Sequence, residues 1–227
     1  LSTNKIKAKV NTMNTLSIRL KKIYAGIVCL GLLSSSAWAD LETDVLALQK
    51  QWAEVNYQIA GKEQISAFEN LVINADAVVV ANPKQAAPLI WRGIIKSTLA
   101  GKKGGLGALG LAKSAKKDLD KSLMLDATAM QGSALTSLGT LYLNVPGWPV
   151  GFGSDKKAEK LLLKAIAINP DGIDSNYFYA DFLVAKKRSQ EAAAYFKKAQ
   201  NAAPRPNRPL ADAGRQKEIV TALESIN

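Results

Sequence analysis

The chain has 227 residues, with 30 Lys and Arg against 19 Asp and Glu, a formal net charge of +11, one cysteine and no histidine. Without histidine it lacks the commonest general base near neutral pH and the commonest metal ligand, so Ser-His-Asp hydrolases and His-based zinc enzymes are excluded. A single cysteine excludes an intrachain disulfide or a Cys-cluster metal site, and carboxylate- or lysine-based chemistry has no recognisable pair to carry it.

From Met13 the sequence reads as a secretory signal. Arg19, Lys21 and Lys22 form a basic start, Ile23 to Leu33 an apolar core, and Ala37-Trp38-Ala39 a small-x-small cleavage site. The apolar run is shorter than the ~20 residues that cross a bilayer, so cleavage before Asp40 is expected rather than a retained anchor. Cys29 sits within this core after Val28, which does not suit a lipoprotein cleavage site. Residues 1–39 hold six basic and no acidic residues, leaving +5 on residues 40–227. That is an ordinary surface charge and gives no support to nucleic-acid binding. The expected product is an exported protein, periplasmic or secreted, with no membrane span left after cleavage.

The expected divisions are a leader (1–39), a degenerate helical hairpin (40–87), three repeat units (88–204) and a linker with a capping helix (205–227). In "LETDVLALQKQWAEVNYQI", Leu41, Val45, Leu48, Trp52, Val55 and Ile59 share one helical face. After Gly61, "ISAFENLVINADAVVVA" repeats the pattern with Ile65, Phe68, Leu71, Val72, Ala75 and Val79. "PLIWRGIIKSTLA", around Trp91 and Ile94, predicts a third helix, and Ala115, Leu119 and Ser122 mark its partner. Between them, "GKKGGLGALG" predicts an enlarged turn.

"LTSLGTLYL" comes next, with Leu135, Leu138, Gly139 and Tyr142 at L-x2-L-G-x2-Y spacing. "AEKLLLKAIAINP" and "AAAYFKKAQNAAP" then align without a gap, pairing Ala158, Leu162, Ala165 and Pro170 with Ala192, Phe196, Ala199 and Pro204 at a 34-residue period. Small residues let paired helices approach, the bulky one fills the groove, and proline ends the unit. "NYFYADFLVA" supplies the first helix of the last unit, with Asn176, Tyr179, Ala180 and Leu183 at the motif places. "VPGWPVGFG" widens the turn of the middle unit, its prolines and glycines ending one helix so that the chain folds back. "PRPNRP" separates the repeats from a last helix whose Ile219, Val220, Leu223 and Ile226 cap the open edge. A boundary spacer fits this segment better than a polyproline ligand. Sustained period-two alternation is absent, so the fold is all-α.

"GLGALG" satisfies G-x-G-x-x-G, and Gly107 to Ser114 is a near miss for a phosphate loop, but both motifs need a preceding buried strand. A helix-like segment precedes them instead. A turn is the better reading, with Lys102 and Lys103 beside it as a possible anion contact through free backbone N–H groups. In the other widened turn, Trp148 and Phe152 either fold back over the loop base, the favoured reading, or stand out as anchors for a partner.

With Leu138-Gly139-x-Leu141-Tyr142, the Pro146–Gly153 loop and Asn169-Pro170-Asp171-Gly172-Ile173-Asp174, the chain resembles secreted bacterial tetratricopeptide-repeat proteins. More loosely, it is similar to the helical T component associated with TRAP transporters. The repeat resemblance covers about Pro88 to Pro204 and implies a superhelical array of antiparallel helix pairs. It also implies a non-catalytic scaffold without cofactors, which binds another protein or peptide in a concave groove. Counting from the motif, groove-facing places fall to Arg92 and Lys96, to Thr136 and Thr140, and to Tyr177 and Asp181. A merely solvated inner face accounts for these polar residues equally well. The looser similarity implies an alternative, a transport accessory that meets a solute-binding protein and holds or channels a small anionic solute.

Overall fold

Small residues at fixed places decide how this chain packs. The computed structural model describes residues 40–226, so the expected signal peptide and Cys29 lie outside the described residues. Helix α1 spans 40–58. It is followed by α2 (Gly61–Ala81), α3 (Ala86–Lys103), α4 (Gly105–Leu125), α5 (Ala129–Asn144), α6 (Asp155–Ile168), α7 (Ile173–Ala185), α8 (Ser189–Gln200) and α9 (Pro209–Ile226). No strand occurs among the described residues, and none of their helices is long and apolar enough to cross a membrane. One compact unit covers Asp44–Asn227; of the other, Leu1–Thr43, only the first turn of α1 is described.

The fold is an array of antiparallel helix pairs, α3 with α4, α5 with α6 and α7 with α8, with α2 against α3 and α9 on α8. A Cβ on Gly139 of α5 would lie 2.7 Å from Leu162 Cγ of α6, and one on Gly93 of α3 would lie 2.8 Å from Leu119 Cγ of α4. Ala180 of α7 and Phe196 of α8 take these places in the last pair, both buried. Ala158, Ala165, Ala192 and Ala199 are fully buried, as close approach of paired helices requires. Burying Leu119, Leu162 and Phe196 contributes roughly 1.5–3 kcal/mol each before entropy is counted.

The two widened turns part company. Between α5 and α6 a loop forms as expected, held by Gly153 N–H donating to Pro146 O at 2.9 Å and Ser154 N–H to Tyr142 O at 2.9 Å. Ser154 then caps α6, its hydroxyl accepting from Lys157 N–H. Between α3 and α4 the expected enlarged turn is absent. Both helices run on, to 18 and 21 residues, and only Gly104 stands outside them. Gly104 and Gly105 have φ of +61° and +63°, a left-handed pair that reverses the chain in minimal length. Gly107 and Gly110 are wound into α4, so "GLGALG" forms no phosphate-binding loop. In α9 the expected apolar stripe also shifts. Ile219 is fully buried and Leu223 and Ile226 pack on the core, but Val220 is 42% exposed.

Candidate ligand-binding cavity

The inner face of the array lines a half-open cavity of about 1110 Å³. Trp52 and Tyr57 of α1, Trp91 and Ile94 of α3, Thr136 and Thr140 of α5, and Phe178 of α7 supply much of its wall. The segment between α8 and α9 closes the circuit with Arg205 and Arg208, and α9 adds Arg215. Closure depends on Gly214 lying flat on the Tyr57 ring, since a Cβ there would be 2.4 Å from Tyr57 Cζ.

The aromatic wall is ordered. Trp52 and Trp91 meet edge to face at 6.2 Å, Trp52 and Tyr57 at 5.7 Å. Trp52 Nε1–H donates to Thr98 Oγ1 at 3.0 Å. Trp91 is 4% exposed, and its Nε1–H is buried with no partner among the described residues.

Two arginines, Arg205 and Arg215, share an ion network at the cavity, and Arg208 lies near them. Arg205 donates to both Asp212 and Asp174, and Arg215 Nε donates to the second oxygen of Asp174 at 3.0 Å. Arg215 also pairs with Glu218 at 2.5 Å and lies 4.2 Å above the Tyr177 ring. Burial works against the Asp174 charge, but Arg215, Arg205 and Arg208 together hold its pKa down at about 2. Arg208 differs from the other two. Its guanidinium sits 5.1 Å over the Trp91 ring, its Nε is buried without a partner, and it forms no ion pair among the described residues. Burial, reinforced by the Arg205 charge, lowers its pKa to about 10.

The expected groove residues distribute unevenly over this geometry. Thr136 and Thr140 line the cavity as counted. Arg92 and Lys96 do not. Gly93 takes the place of Gly139, so these two side chains point at the partner helix, where both bind the buried Asp118, at 2.5 and 2.9 Å. Arg92 also reaches Asp76 of α2 at 2.9 Å. The counterparts of Thr136 and Thr140 in α3 are Ile90, fully buried, and Ile94, which does line the cavity. Tyr177 and Asp181 lie under α9 instead of facing the cavity. Burial raises both of their pKa values, and Arg215 opposes the shift. Phe178 faces inward in their stead.

Lys102 and Lys103 end α3, where cations suit the helix C-terminus. Neither lines the cavity, and Lys103 pairs with Glu69 at 2.5 Å. The loop aromatics separate. Phe152 folds back onto Tyr142, edge to face at 5.4 Å, with Lys116 and Lys157 over the rings. Trp148 is 90% exposed, contrary to the favoured expectation for it. No fold-back was available to it, because Phe152 already covers the loop base.

Sequence reasoning missed Arg205, Arg208 and Arg215, having taken their segment as spacer and cap. One signal was present. Of five arginines after residue 39 in a lysine-rich chain, three fall between 205 and 215, and arginine is the residue suited to forked, buried ion pairing.

No protein family matches the chain, and no curated protein does. Among solved structures it is similar to a crystal structure of MamA, at 20% identity, covering 73% of this chain and 90% of that one, with a TM-score of 0.43. The assignment to a helical repeat array is carried by the recurring small-against-bulky contacts of the three helix pairs.

Proposed function

We propose that this chain is an exported, non-catalytic scaffold of tetratricopeptide type that docks another polypeptide. The observation behind this reading is Trp148, 90% exposed on a loop held in shape by its own backbone hydrogen bonds. Pro146 and Val150 of the same loop form part of the cavity wall, so a partner seated on Trp148 also covers the cavity. An exposed tryptophan on a rigid support is the kind of residue that concentrates binding energy. The occupant is an extended segment of a second envelope protein, its backbone beside the Thr136 and Thr140 hydroxyls. Capture from the native host's envelope fraction by the wild-type chain is expected to disappear with Trp148→Ser while the circular-dichroism spectrum is unchanged. Undiminished capture by that variant overturns the reading.

Arg208 favours a second reading, the transport accessory that holds a small anionic solute. Its guanidinium lines the cavity and forms no ion pair among the described residues, which leaves donors for charge-assisted hydrogen bonds to an anion there. In this reading the docked protein delivers or receives the solute.

A further inference from the structure

Lysine recurs at the same three places on two successive second helices. Counted from the buried Ala115 and Ala158, Lys113, Lys117 and Lys121 of α4 correspond to Lys156, Lys160 and Lys164 of α6. A spacing of four keeps each row on one side of its helix. All six are exposed, none lines the cavity, and none forms an ion pair among the described residues. Lys157, also exposed and without an ion pair, joins them. The rows meet over α5, where Lys157 Nζ and Lys116 Nζ lie 5.3 and 5.7 Å from the centre of the Tyr142 ring. The carboxylates of the same two helices are drawn off this face by cations from elsewhere. Asp118 is buried against Arg92 and Lys96, Asp155 pairs with Lys186, and Glu159 pairs with Arg188. Asp120 stays among the lysines, held by Lys116, and Asp126, just beyond α4, accepts from Thr128. Met124 and Leu163, 80% and 44% exposed, stand three residues beyond Lys121 and Lys160 and so share their sides of the helices.

From this juxtaposition we infer that the lysine rows of α4 and α6 dock on an anionic lipid bilayer, with Met124 and Leu163 entering its headgroup layer. Like charges four residues apart disfavour a helix, and a sheet of phosphates facing both rows offsets that repulsion. Three features select lipid over an acidic protein or a nucleic acid. The free cations are all lysine, a hydrated point charge on a flexible stem that meets phosphates in many arrangements, whereas specific docking uses the arginine fork. Protein interfaces are poor in lysine and centred on aromatic anchors, and single-stranded nucleic acid stacks on aromatic rings; neither helix carries one. Apolar side chains among lysines suit the boundary of headgroup and acyl chain. Each lysine near such a surface strengthens binding about fivefold, so the rows act as a group. None of these residues belongs to the cavity or to the Trp148 loop, so the inference stands apart from both readings above.

The test sediments residues 40–227, which carry every described helix and leave out the basic leader, with vesicles of phosphatidylcholine alone or with about one third phosphatidylglycerol. Binding is expected with the anionic vesicles only, and to weaken tenfold or more between about 50 and about 300 mM NaCl. Lys117→Gln combined with Lys160→Gln and Lys164→Gln is expected to weaken it tenfold or more. Lys50→Gln combined with Lys62→Gln and Lys84→Gln makes the same change of net charge at exposed places before α3, and is expected to cost less than about twofold. Met124→Ser with Leu163→Ser is expected to weaken binding several-fold at constant salt. Matching thermal midpoints for the variants separate lost binding from lost folding. Equal binding to both kinds of vesicle, or equal losses from the two lysine triples, overturns the inference. Tighter binding of polyglutamate or duplex DNA than of the anionic vesicles, at equal anion concentration, overturns the assignment to lipid. Unchanged binding by the Met124 and Leu163 variant overturns their entry into the headgroup layer.

Discussion

Gly139 and Gly93 each face a fully buried leucine at a distance that admits no methyl group. Leu162 cannot turn aside, because it is locked within the core between α5 and α6, and the Ala158 carbonyl is 3.3 Å from the same point. Gly139→Ala is therefore expected to destabilise the fold by about 1–3 kcal/mol, the usual cost of overpacking, even though alanine is the better helix former. Urea denaturation measures it, and pairing it with Leu162→Ala is expected to recover part of the loss. An opposite kind of residue effect belongs to Asp174. Its carboxyl is held at about 2 against an ordinary 3.8, so it binds protons more weakly folded than unfolded. The stability this provides is complete above about pH 4 and disappears as pH falls towards 2. Urea midpoints at several pH values are expected to fall across that window in the wild type. With Asp174→Asn the curve is expected to start lower and run flatter.

At the scale of the helix, glycine-rich sequence proved a poor guide to loop. "GLGALG" carries enough glycine to read as a turn, yet each interior glycine costs a helix only about 1 kcal/mol, and packing of α3 on α4 exceeds that. The two glycines that do work as a turn are the pair at positive φ, and a substitution pair separates the roles. Gly107 is helical with open space around its Cα, so Gly107→Ala is expected to raise stability by about 0.5–1 kcal/mol. Gly105 has open space too but φ of +63°, so Gly105→Ala is expected to lower it by about 1 kcal/mol or more. Thermal unfolding of both variants checks the pair, and equal signs would mean that the segment is a loop after all. The repeat itself was legible because its cause is local: a small residue, a bulky one and a helix-ending proline recur at 34 residues. The groove register of α3 was not. Arg92 and Lys96 look like surface residues, but they stand in the places of Leu138 and Tyr142 and are held there by Asp118. Only the position of Gly93 betrays the register.

The whole molecule adds what no segment could announce, because the cavity draws its lining from segments spread from α1 to α9. Tyr57 and Gly214 are separated by most of the described chain, and their contact brings α9 to α1. Burial raises the Tyr57 pKa to about 12, consistent with a phenol enclosed by this closure. The Arg215 network helps, since Asp174 of α7 is bound from both the linker and α9. A methyl group at Gly214 would have to push the Tyr57 ring aside, although in an isolated helix it would be favourable by about 1 kcal/mol. Gly214→Ala is therefore expected to part α9 from α1 and wet the Trp52 and Trp91 indoles. The readouts are a red shift in tryptophan emission and faster hydrogen exchange in α9, with α5 to α8 unaffected. In a Tyr57→Ala background the obstacle is gone, and the same glycine substitution is expected to be neutral or stabilising. That change of sign is the diagnostic quantity of the double-mutant cycle. If Gly214→Ala instead stabilises both backgrounds equally, the helix does not bear on Tyr57, the ring of helices stands open, and Arg208 faces solvent rather than a chamber.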